Sequence, residues 1–257
     1  MPSILFEIRN AVGLITLNRP DKYNAFNREM ALLMQEKLDE CKSKEVRCIY
    51  ITGAGKAFSS GQDLEEVINP NGINIERILI EHYNPIIRAI RKLEKPVVAA
   101  VNGVAAGAGC NIALCCDIVV ASGSASFTQA FSKIGLIPDS GGTYFLPRLV
   151  GWQKATALMM LSEKISAEEA ERIGMIYKVF DEANFSEQSL KIASTLASMP
   201  TKALALTKQL LDNSFNNDYE DQLHDEEIFQ QRSGSSADYK EGVQAFLEKR
   251  KPNFTGQ

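Results

Sequence analysis

Three observations predict an α/β fold. Short apolar segments typical of β-strands alternate with segments whose apolar residues recur at the helical period. The connections between the predicted strands are long enough for helical crossovers, which favours parallel pairing with helices packed on the sheet. From Gly151 onward the pattern is helical. With 257 residues, 45% of them hydrophobic, the chain can bury one full core, so we expect one large domain followed by a helical region.

The first predicted elements are a hairpin, a helix and a buried strand. Residues Ile4–Arg9 and Val12–Asn18 are rich in alternating β-branched residues and flank the turn-like stretch NAVG, which predicts two paired strands. Asn27 stands before a long amphipathic pattern and is expected to cap its helix. The apolar strand RCIYITG follows and ends at Gly53.

Further along the chain, a helix over about Ile75–Leu93 leads into the apolar strand PVVAAV. A Gly/Ala-rich helix start and the strand DIVVAS come next. In the helical region, Ser166 and Glu169 fit a capping box. The segments with helix-period spacing there are WQKATALMML, SAEEAERIG, SEQSLKIASTLASM, TKALALTKQLLD and SADYKEGVQAFLEKR. We find no internal repeat or Ser/Gly linker that would divide the chain.

Charge and hydropathy exclude several classes of protein. A net charge of −4 and an isoelectric point near 5.4 argue against a nucleic-acid-binding protein that relies on general positive charge. The apolar runs are too short to span a bilayer and no signal-peptide pattern is present, so we expect a cytoplasmic protein without a membrane partner. The cysteines are odd in number and form no paired CxxC motifs, which predicts reduced core thiols at Cys41, Cys48, Cys110, Cys115 and Cys116.

The segment from Lys95 to Ser162 is rich in glycine and poor in acidic residues. It keeps the two carboxylates Asp117 and Asp139, where about eight would be expected from the chain average. Asp139 lies in the string GLIPDSGGTYF, where the backbone must turn and can approach a ligand closely. Burial there would raise the pKa of Asp139 into a range useful for proton transfer. Asp117, at the start of a strand, is interpreted as structural.

Two glycine-bearing turns, Gly55–Leu64 and Asn102–Leu114, each follow a predicted strand and open toward a helix. Such turns present free backbone N–H groups, which favour an anion or a developing oxyanion nearby. Neither turn matches the spacing of a phosphate-binding or dinucleotide-binding motif, so a nucleotide cofactor is not expected. The two turns are also compatible with a purely structural role, in which their glycines allow a helix to pack closely on the sheet.

Other catalytic centres have little support in the sequence. The two histidines, His82 and His224, lie far apart in predicted helices without metal-ligand spacing, so no metal site is expected. The serines of SSGQD do not form a nucleophile elbow, and no histidine is placed to serve them as a base. Asp139 is therefore the best candidate for a titratable catalytic group.

Three blocks of the chain resemble signature sequences of the enoyl-CoA hydratase/isomerase (crotonase) superfamily. They are GKAFSSGQDL, KPVVAAVNGVAAGAGCNIALCCDIVVAS and ASFTQAFSKIGLIPDSGGTYFLPRLVG, and the likeness extends to LNRPDKYNAFN and EGVQAFLEKRKPNF. The resemblance implies a crotonase (ClpP-like) fold with repeated ββα units over residues 1–200 and a helical trimerisation region over residues 201–257. It also implies an acyl-CoA thioester as substrate, no cofactor beyond the coenzyme A of that substrate, and assembly as a homotrimer or a dimer of trimers.

The resemblance also implies roles for particular residues. Asp139 is expected to be the catalytic residue, and the backbone N–H groups of Gln62 and Ala108 are expected to form the oxyanion hole for the thioester enolate. Phe246 and Lys249 are expected near the coenzyme A head, contributed by a neighbouring subunit. The full set of implied substrate and coenzyme A positions is Lys22, Ala25, Ser60, Gly61, Asp63, Leu64, Gly107, Asn111, Phe131, Pro138, Phe246 and Lys249.

Two departures from the hydratase pattern indicate the type of reaction. Hydratases of the superfamily carry one glutamate three residues after the second oxyanion donor and another eight residues before the position of Asp139. This chain has Asn111 and Phe131 there. Hydration needs a base for the water and an acid for the α-carbon, and neither of these side chains can exchange a proton. One carboxylate can still move a proton between two carbons of a held enolate, so we expect an isomerase.

The sequence leaves the acyl group of the substrate undecided, because it resembles several members of the superfamily that act on different acyl groups. The string NGVAAGAG…AFSKIGLIPDSGGT…LPRLVG most resembles isomerases that convert ring-1,2-epoxyphenylacetyl-CoA to an oxepin thioester, and Δ3,Δ2-enoyl-CoA isomerases are the runner-up. Benzoyl-CoA dehalogenases use an Asp here as a nucleophile but pair it with a Trp at the position of Phe131. An enoyl-CoA hydratase-like member and a catalytically silent acyl-CoA-binding member are the alternatives. A pocket lined by Phe131, Phe145 and Ile137 would suit aromatic and aliphatic acyl groups alike.

Overall fold

The computed structural model describes residues 1–68 and 73–257, and its strands form two sheets. The strands are β1 (Ile4–Arg9), β2 (Val12–Leu17), β3 (Cys48–Gly53), β4 (Ala57–Ser59), β5 (Val97–Val101), β6 (Val104–Ala106), β7 (Ile118–Ser122), β8 (Ser126–Thr128), β9 (Ile165–Ser166) and β10 (Lys178–Phe180). One sheet has six strands in the order β1-β2-β3-β5-β7-β10, and the other has four in the order β4-β6-β8-β9.

Helices cover the sheets and form the C-terminal region. They are α1 (Arg28–Glu40), α2 (Leu64–Val67), α3 (Ile75–Arg77), α4 (Asn84–Lys92), α5 (Ala108–Leu114), α6 (Gly142–Val150), α7 (Trp152–Leu161), α8 (Ala167–Arg172), α9 (Phe185–Ser198), α10 (Thr201–Asn213), α11 (Tyr219–Gly234) and α12 (Ala237–Leu247). Short 3-10 turns span Pro20–Lys22 and Phe131–Ile134, and a π-helical segment spans Ile78–Tyr83. In the described ranges, no helix is long and apolar enough to cross a membrane.

The six-stranded sheet forms because its central strands are apolar on both faces. Strands β2, β3, β5, β7 and β10 pair in parallel, while β1 and β2 form the predicted antiparallel hairpin with Ile4 opposite Leu17. Every residue of β5 is buried, as expected for a strand covered on both sides. Helix α9 covers one face, where the Tyr50 hydroxyl lies 2.8 Å from the Ser189 hydroxyl. Residues of α1, α4 and α5 cover the other face.

The chain repeats a strand–strand–helix unit that alternates between the two sheets. Strand β3 in the large sheet is followed by β4 in the small sheet and then α2, and β5, β6 and α5 repeat this order. Strands β7 and β8 do the same before the 3-10 turn at Phe131–Ile134. Because β4, β6 and β8 run parallel, the chain leaves all three at the same edge of the small sheet. The segments that follow these strands therefore become neighbours.

Most predicted elements are present in the structure, and the differences have local causes. The Asn27 side chain caps α1 by accepting a hydrogen bond from the Met30 N–H at 3.0 Å. The predicted helix from Ile75 is helical but is interrupted by the π-helical segment. Helix α11 was not predicted, because it buries none of its side chains and so lacks an apolar stripe. Ser166 accepts the Glu169 N–H, but the Glu169 carboxylate bonds Arg172 instead, so only half of the capping box forms.

Asp117 holds the sheet to the C-terminal helices. Its carboxylate accepts hydrogen bonds from the Val97 N–H and the Arg91 guanidinium, both at 2.8 Å. The buried Lys208 ammonium of α10 lies 2.9 Å from the same carboxylate. Arg91 also pairs with Asp212 of α10. Asp117 is therefore structural, as predicted.

The cysteines are all buried and free, also as predicted.

Candidate active site

The two glycine turns meet at the edge of the small sheet. One turn leaves β4 and the other leaves β6, and these strands are paired in parallel. Gly61 in the first turn has φ +93°, and a Cβ built there would lie 2.9 Å from the Ala106 carbonyl oxygen and 3.3 Å from the Ala108 nitrogen. A side chain at this position would strain the backbone and intrude between the turns. Glycine is therefore required for the two backbones to approach so closely.

Two backbone donors are left free at this junction. Phe26 donates its N–H to the Gly61 carbonyl at 2.7 Å and accepts the Asp63 N–H at 2.9 Å, so the intervening Gln62 N–H faces the other way. Ala108 is the first residue of α5, where N–H groups have no partner within the helix. Neither N–H donates to an acceptor in the described part of the chain. The pair can thus bind a carbonyl oxygen on which negative charge develops.

These donors line a mostly apolar cavity of about 360 Å³. Side chains from α2, the π-helical segment and the segment after β8 form its walls. The lining residues are Ser60, Gly61, Gln62, Leu64, Val67, Ile75, Ile78, Leu79, Tyr83, Gly107, Ala108, Gln129, Ala130, Phe131, Ile134, Leu136 and Asp139. The structure thus brings Asp139 together with both predicted oxyanion donors.

Asp139 lies in a sharp turn between the 3-10 segment and α6. Ser140 and Gly141 follow with φ angles of +51° and +76°, so the predicted turn is present. The Ser140 hydroxyl donates to the Asp139 carboxylate at 2.8 Å. Burial raises the pKa of Asp139, and the hydrogen bond from Ser140 opposes that rise. A carboxyl group with a raised pKa in an apolar cavity is suited to taking up and returning a proton.

Tyr83 is a cavity residue that the sequence did not reveal. Its side chain is buried, and its hydroxyl donates to the Gln62 side-chain oxygen at 2.9 Å. The Gln62 amide in turn donates to Glu66 of α2 at 2.9 Å. Burial, together with the nearby charge of Asp139, raises the pKa of Tyr83 well above its usual value, so the phenol stays neutral. Tyr83 falls inside a predicted amphipathic helix, where an aromatic residue is indistinguishable from ordinary core.

The π-helical segment places several side chains on the cavity. Ile78, Leu79 and Tyr83 all line it. Because a π-helix bonds residue i to residue i+5, Ile78 and Tyr83 come onto one face of the segment. The residue pattern of a π-helical segment does not differ from that of a regular α-helix. The sequence therefore did not predict that these side chains line the cavity.

Five of the predicted substrate-binding positions line the cavity: Ser60, Gly61, Leu64, Gly107 and Phe131. Lys22 and Ala25 lie in the segment beside this site but do not line the cavity. The Ser60 hydroxyl lies 3.4 Å from the Lys22 carbonyl, while the Lys22 ammonium pairs with Glu65 at 2.6 Å. Ala25 is almost fully buried.

Three further predicted positions do not line the cavity, and their role toward the substrate or coenzyme A stays a prediction. Asp63 does not line the cavity, because its carboxylate bonds Arg19 at 2.8 Å and caps α2 through the Glu65 N–H. Asn111 is fully buried and does not line the cavity, and its amide nitrogen donates to the Asp139 carbonyl oxygen. Pro138 also lies outside the lining.

Other predicted positions lie away from the cavity within one chain. Phe246 and Lys249, at the end of α12 and just beyond it, are exposed and do not line it. The expectation that they come from a neighbouring subunit stays a prediction. Ile137 and Phe145 were expected in the acyl pocket, but Ile137 is 82% exposed and Phe145 packs edge-on against Tyr144. Of the three predicted acyl-pocket residues, Phe131 alone lines the cavity.

Comparison with known proteins agrees with this architecture. Residues 7–257 match the family described as enoyl-CoA hydratase/isomerase. The chain is 44% identical to the 1,2-epoxyphenylacetyl-CoA isomerase of Escherichia coli (strain K12), with 100% of both chains covered. It is 45% identical to a "Probable enoyl-CoA hydratase" of Rhodobacter capsulatus, covering 99% of this chain and 98% of that protein. The crystal structure of an enoyl-CoA hydratase from Bacillus anthracis matches with a TM-score of 0.92 at 32% identity, covering 99% of this chain and 100% of that one.

The matched range contains both glycine turns and the Asp139 turn. The structural similarity covers both sheets and the C-terminal helices, so the fold is the crotonase fold that the signature blocks implied. The chain belongs to the enoyl-CoA hydratase/isomerase family.

Proposed function

We propose that the protein is an acyl-CoA isomerase that uses one carboxyl group, that of Asp139, and a backbone oxyanion hole. With a 3-enoyl-CoA it would move a proton between two carbons of an enolate. One observation carries the proposal. Among the described residues that line the cavity with Gln62 and Ala108, Asp139 provides the only carboxyl group. A single acid–base group beside an oxyanion site suits proton transfer within one molecule, because the group that accepts the proton also returns it.

The proposed reaction with a 3-enoyl-CoA uses this arrangement directly. The thioester oxygen accepts hydrogen bonds from the Gln62 and Ala108 N–H groups, and the Asp139 carboxylate removes a proton from C2. The electrons of the C2–H bond form a dienolate, whose charge the two fixed donors stabilise by about 3 kcal/mol each. Asp139 then delivers the proton to C4, which leaves the double bond between C2 and C3 and restores the carboxylate.

Ordinary hydration is disfavoured at this site. Hydration would need a second acid–base group for the attacking water. Phe131, which lines the cavity, has no exchangeable proton, and Asn111 is buried away from it. The Tyr83 phenol has a raised pKa and is engaged with Gln62, so it is a poor base for water.

A ring epoxide of phenylacetyl-CoA is the candidate substrate that the signature string and the relatives favour. The specific observation in its favour is the 44% identity, over both full chains, to the 1,2-epoxyphenylacetyl-CoA isomerase of E. coli. The apolar walls formed by Phe131, Leu79 and Leu136 suit an aromatic ring as well as an alkenyl chain. In both candidates the substrate is a coenzyme A thioester, and the proposed chemistry needs no other cofactor.

The proposed assembly is a homotrimer or a pair of trimers. Large apolar side chains are exposed on one isolated chain, among them Trp152, Phe246 and Leu247 at 75%, 82% and 70%. Burial of such residues favours association. In this arrangement Phe246 and Lys249 would reach the coenzyme A of a neighbouring subunit.

A substrate panel tests the proposed function. The purified protein is expected to isomerise 3-enoyl-CoA, ring-1,2-epoxyphenylacetyl-CoA, or both. Crotonyl-CoA hydration should be slower than the isomerisation by a factor of about 10² or more, because one of the two acid–base groups that hydration needs is missing. Product formation is measured by chromatography and mass spectrometry for the three substrates side by side. Rapid crotonyl-CoA hydration without isomerisation would show that the assignment is wrong.

The pH dependence gives a separate test. Asp139 must be ionised to remove the C2 proton, and burial places its pKa above the ordinary 3.8. The value of kcat/KM should therefore rise with pH through a midpoint above 3.8 and then level off. Initial rates are measured across this range, with circular dichroism at each pH to exclude unfolding. An acid limb at or below the ordinary aspartate value would contradict the assigned environment of Asp139.

A further inference from the structure

Asn111 makes a specific contact with the backbone of Asp139. Its side chain is fully buried on α5, one turn after the oxyanion donor Ala108. The Asn111 Nδ2 donates to the Asp139 carbonyl oxygen at 2.8 Å. Its Oδ1 accepts a hydrogen bond from the Gln129 Nε2 at 3.0 Å. Since a carbonyl oxygen can only accept, the Asn111 amide must turn its nitrogen toward Asp139 and its oxygen toward Gln129.

Gly142 shapes the space that this amide occupies. A Cβ built on Gly142 would lie 2.3 Å from Asn111 Nδ2 and 2.7 Å from the Asn111 Cγ, so only glycine allows the amide to lie there. The Gly142 N–H also donates to the Asp139 carbonyl at 2.8 Å. The Asp139 carbonyl is therefore held by two donors, one from α5 and one from the start of α6.

The Asp139 turn needs such external support. Its next two residues, Ser140 and Gly141, have positive φ angles, which for Ser140 is a sparsely populated conformation. Strained backbone of this kind persists when surrounding contacts hold it. Within residues 1–68 and 73–257, the carboxylate accepts one hydrogen bond, from the neighbouring Ser140, which moves with the turn. Its position over the cavity is thus set through the backbone rather than through the carboxylate.

We propose that Asn111 is the positioning residue for Asp139, with its amide fixing the backbone of the proton-carrying residue relative to the oxyanion donor on the same helix. This rests on the proposed isomerase function and adds to it the residue that aligns the base. Asn111 would thus have a different role from the glutamate that hydratases carry at this position. The Asn111 side chain contacts the Asp139 turn and does not line the cavity.

A carboxylate at position 111 could not perform this task. Ionised Asp or Glu accepts hydrogen bonds but cannot donate one to the Asp139 carbonyl. Glu is also longer by one methylene in a fully buried site that Gly142 already contacts closely. The variant Asn111→Glu is therefore expected to lose isomerase activity without gaining crotonyl-CoA hydration.

The test compares Asn111→Ala, Asn111→Asp and a control, Asn18→Ala. The Asn18 amide also donates to a backbone carbonyl, that of Pro2 at 2.9 Å, but Asn18 does not line the cavity. For Asn111→Ala, kcat with the active substrate is expected to fall roughly ten- to a hundredfold while KM stays within about twofold, because the base is misplaced by a fraction of an ångström and the coenzyme A contacts are kept. For Asn18→Ala, kcat should stay within about twofold of wild type, and thermal melts measure the loss of stability in each variant.

The Asn111→Asp variant keeps the shape of the side chain and adds a readout that loss of stability cannot produce. A negative charge beside the Asp139 turn disfavours ionisation of Asp139, so the acid limb of kcat/KM should move to higher pH. If Asn111→Ala is folded and keeps its kcat, or if Asn111→Glu hydrates crotonyl-CoA, the inference is overturned. Unfolding of both Asn111→Ala and Asn111→Asp would also overturn it, since Asn111 would then serve the fold.

Parallel assays of wild type and Asp139→Asn separate this inference from the proposed function. A wild type that isomerises, an inactive Asp139→Asn and a fully active Asn111→Ala would overturn the positioning role alone. A wild type that isomerises none of the candidate substrates would overturn the proposed function and the positioning role with it.

Discussion

The Asp139→Asn variant is expected to lose isomerisation by a factor of about 10²–10⁴ in kcat. The amide keeps the size of the side chain but cannot take the C2 proton or return it to C4. Stopped-flow or discontinuous assays with the active substrate measure the loss. A surface control, Asp181→Asn, should keep wild-type kcat because Asp181 is exposed and does not line the cavity. Full activity in Asp139→Asn would refute the assigned mechanism.

Binding and stability of Asp139→Asn should not follow the loss of kcat. Binding of a non-reactive acyl-CoA, measured by calorimetry, should stay near the wild-type value because the backbone donors are unchanged. Since burial raises the folded-state pKa of Asp139, ionisation favours the unfolded state as pH rises through the interval between the two pKa values. The variant should therefore unfold at a higher temperature than wild type at neutral pH, and the difference should disappear below the ordinary pKa of 3.8. A collapse of acyl-CoA affinity in the folded variant would contradict this separation of binding from catalysis.

The Gly61→Ala variant is expected to lower kcat by about 10²–10³, the size seen when one oxyanion donor is lost. The new methyl group would lie 2.9 Å from the Ala106 carbonyl and 3.3 Å from the Ala108 nitrogen, so the two turns must separate. The positive φ of +93° adds backbone strain of about 1–3 kcal/mol. Kinetic assays and chemical denaturation measure the two effects.

Gly174→Ala is the matched control for backbone strain. Gly174 has φ +75°, and its nearest neighbour to an added Cβ is the Leu149 carbonyl oxygen at 3.6 Å, outside the cavity. Both variants should be less stable than wild type, but only Gly61→Ala should lose kcat. If Gly174→Ala lost activity equally, the effect at Gly61 would reflect general destabilisation and not the oxyanion site.

Elements with long apolar patterns were predictable, while short or polar ones were not. The hairpin, β3, β5, β7 and the amphipathic helix α1 have enough apolar residues to show a period. Strands β4, β6 and β8 have three residues each, too few for a period, and their pairing joins segments far apart in the chain. Helix α11 has no buried residue, so its sequence shows no apolar period that would predict a helix.

The candidate site was predictable where a local signal existed. Gly61 and Gly107 mark turns with positive φ, and Asp139 stands out as an acid in an acid-poor, glycine-rich segment. Ile78, Leu79 and Tyr83 had no such signal, because a cavity wall and a helix core use the same residue types. Asn111 was expected to face the substrate, but its amide bonds the Asp139 carbonyl.

The sequence by itself determined the α/β class, the two glycine-bearing turns and the isolated acid Asp139, and its signature blocks indicated the family. These properties depend on residue type and local spacing. The tertiary structure alone decided which residues share the cavity and which way Asn111 faces. The physical reason is that parallel pairing of β4 with β6 brings distant turns together, and close packing of Gly142 against the Asn111 amide leaves that side chain a single direction. Both depend on contacts between segments that no local pattern records.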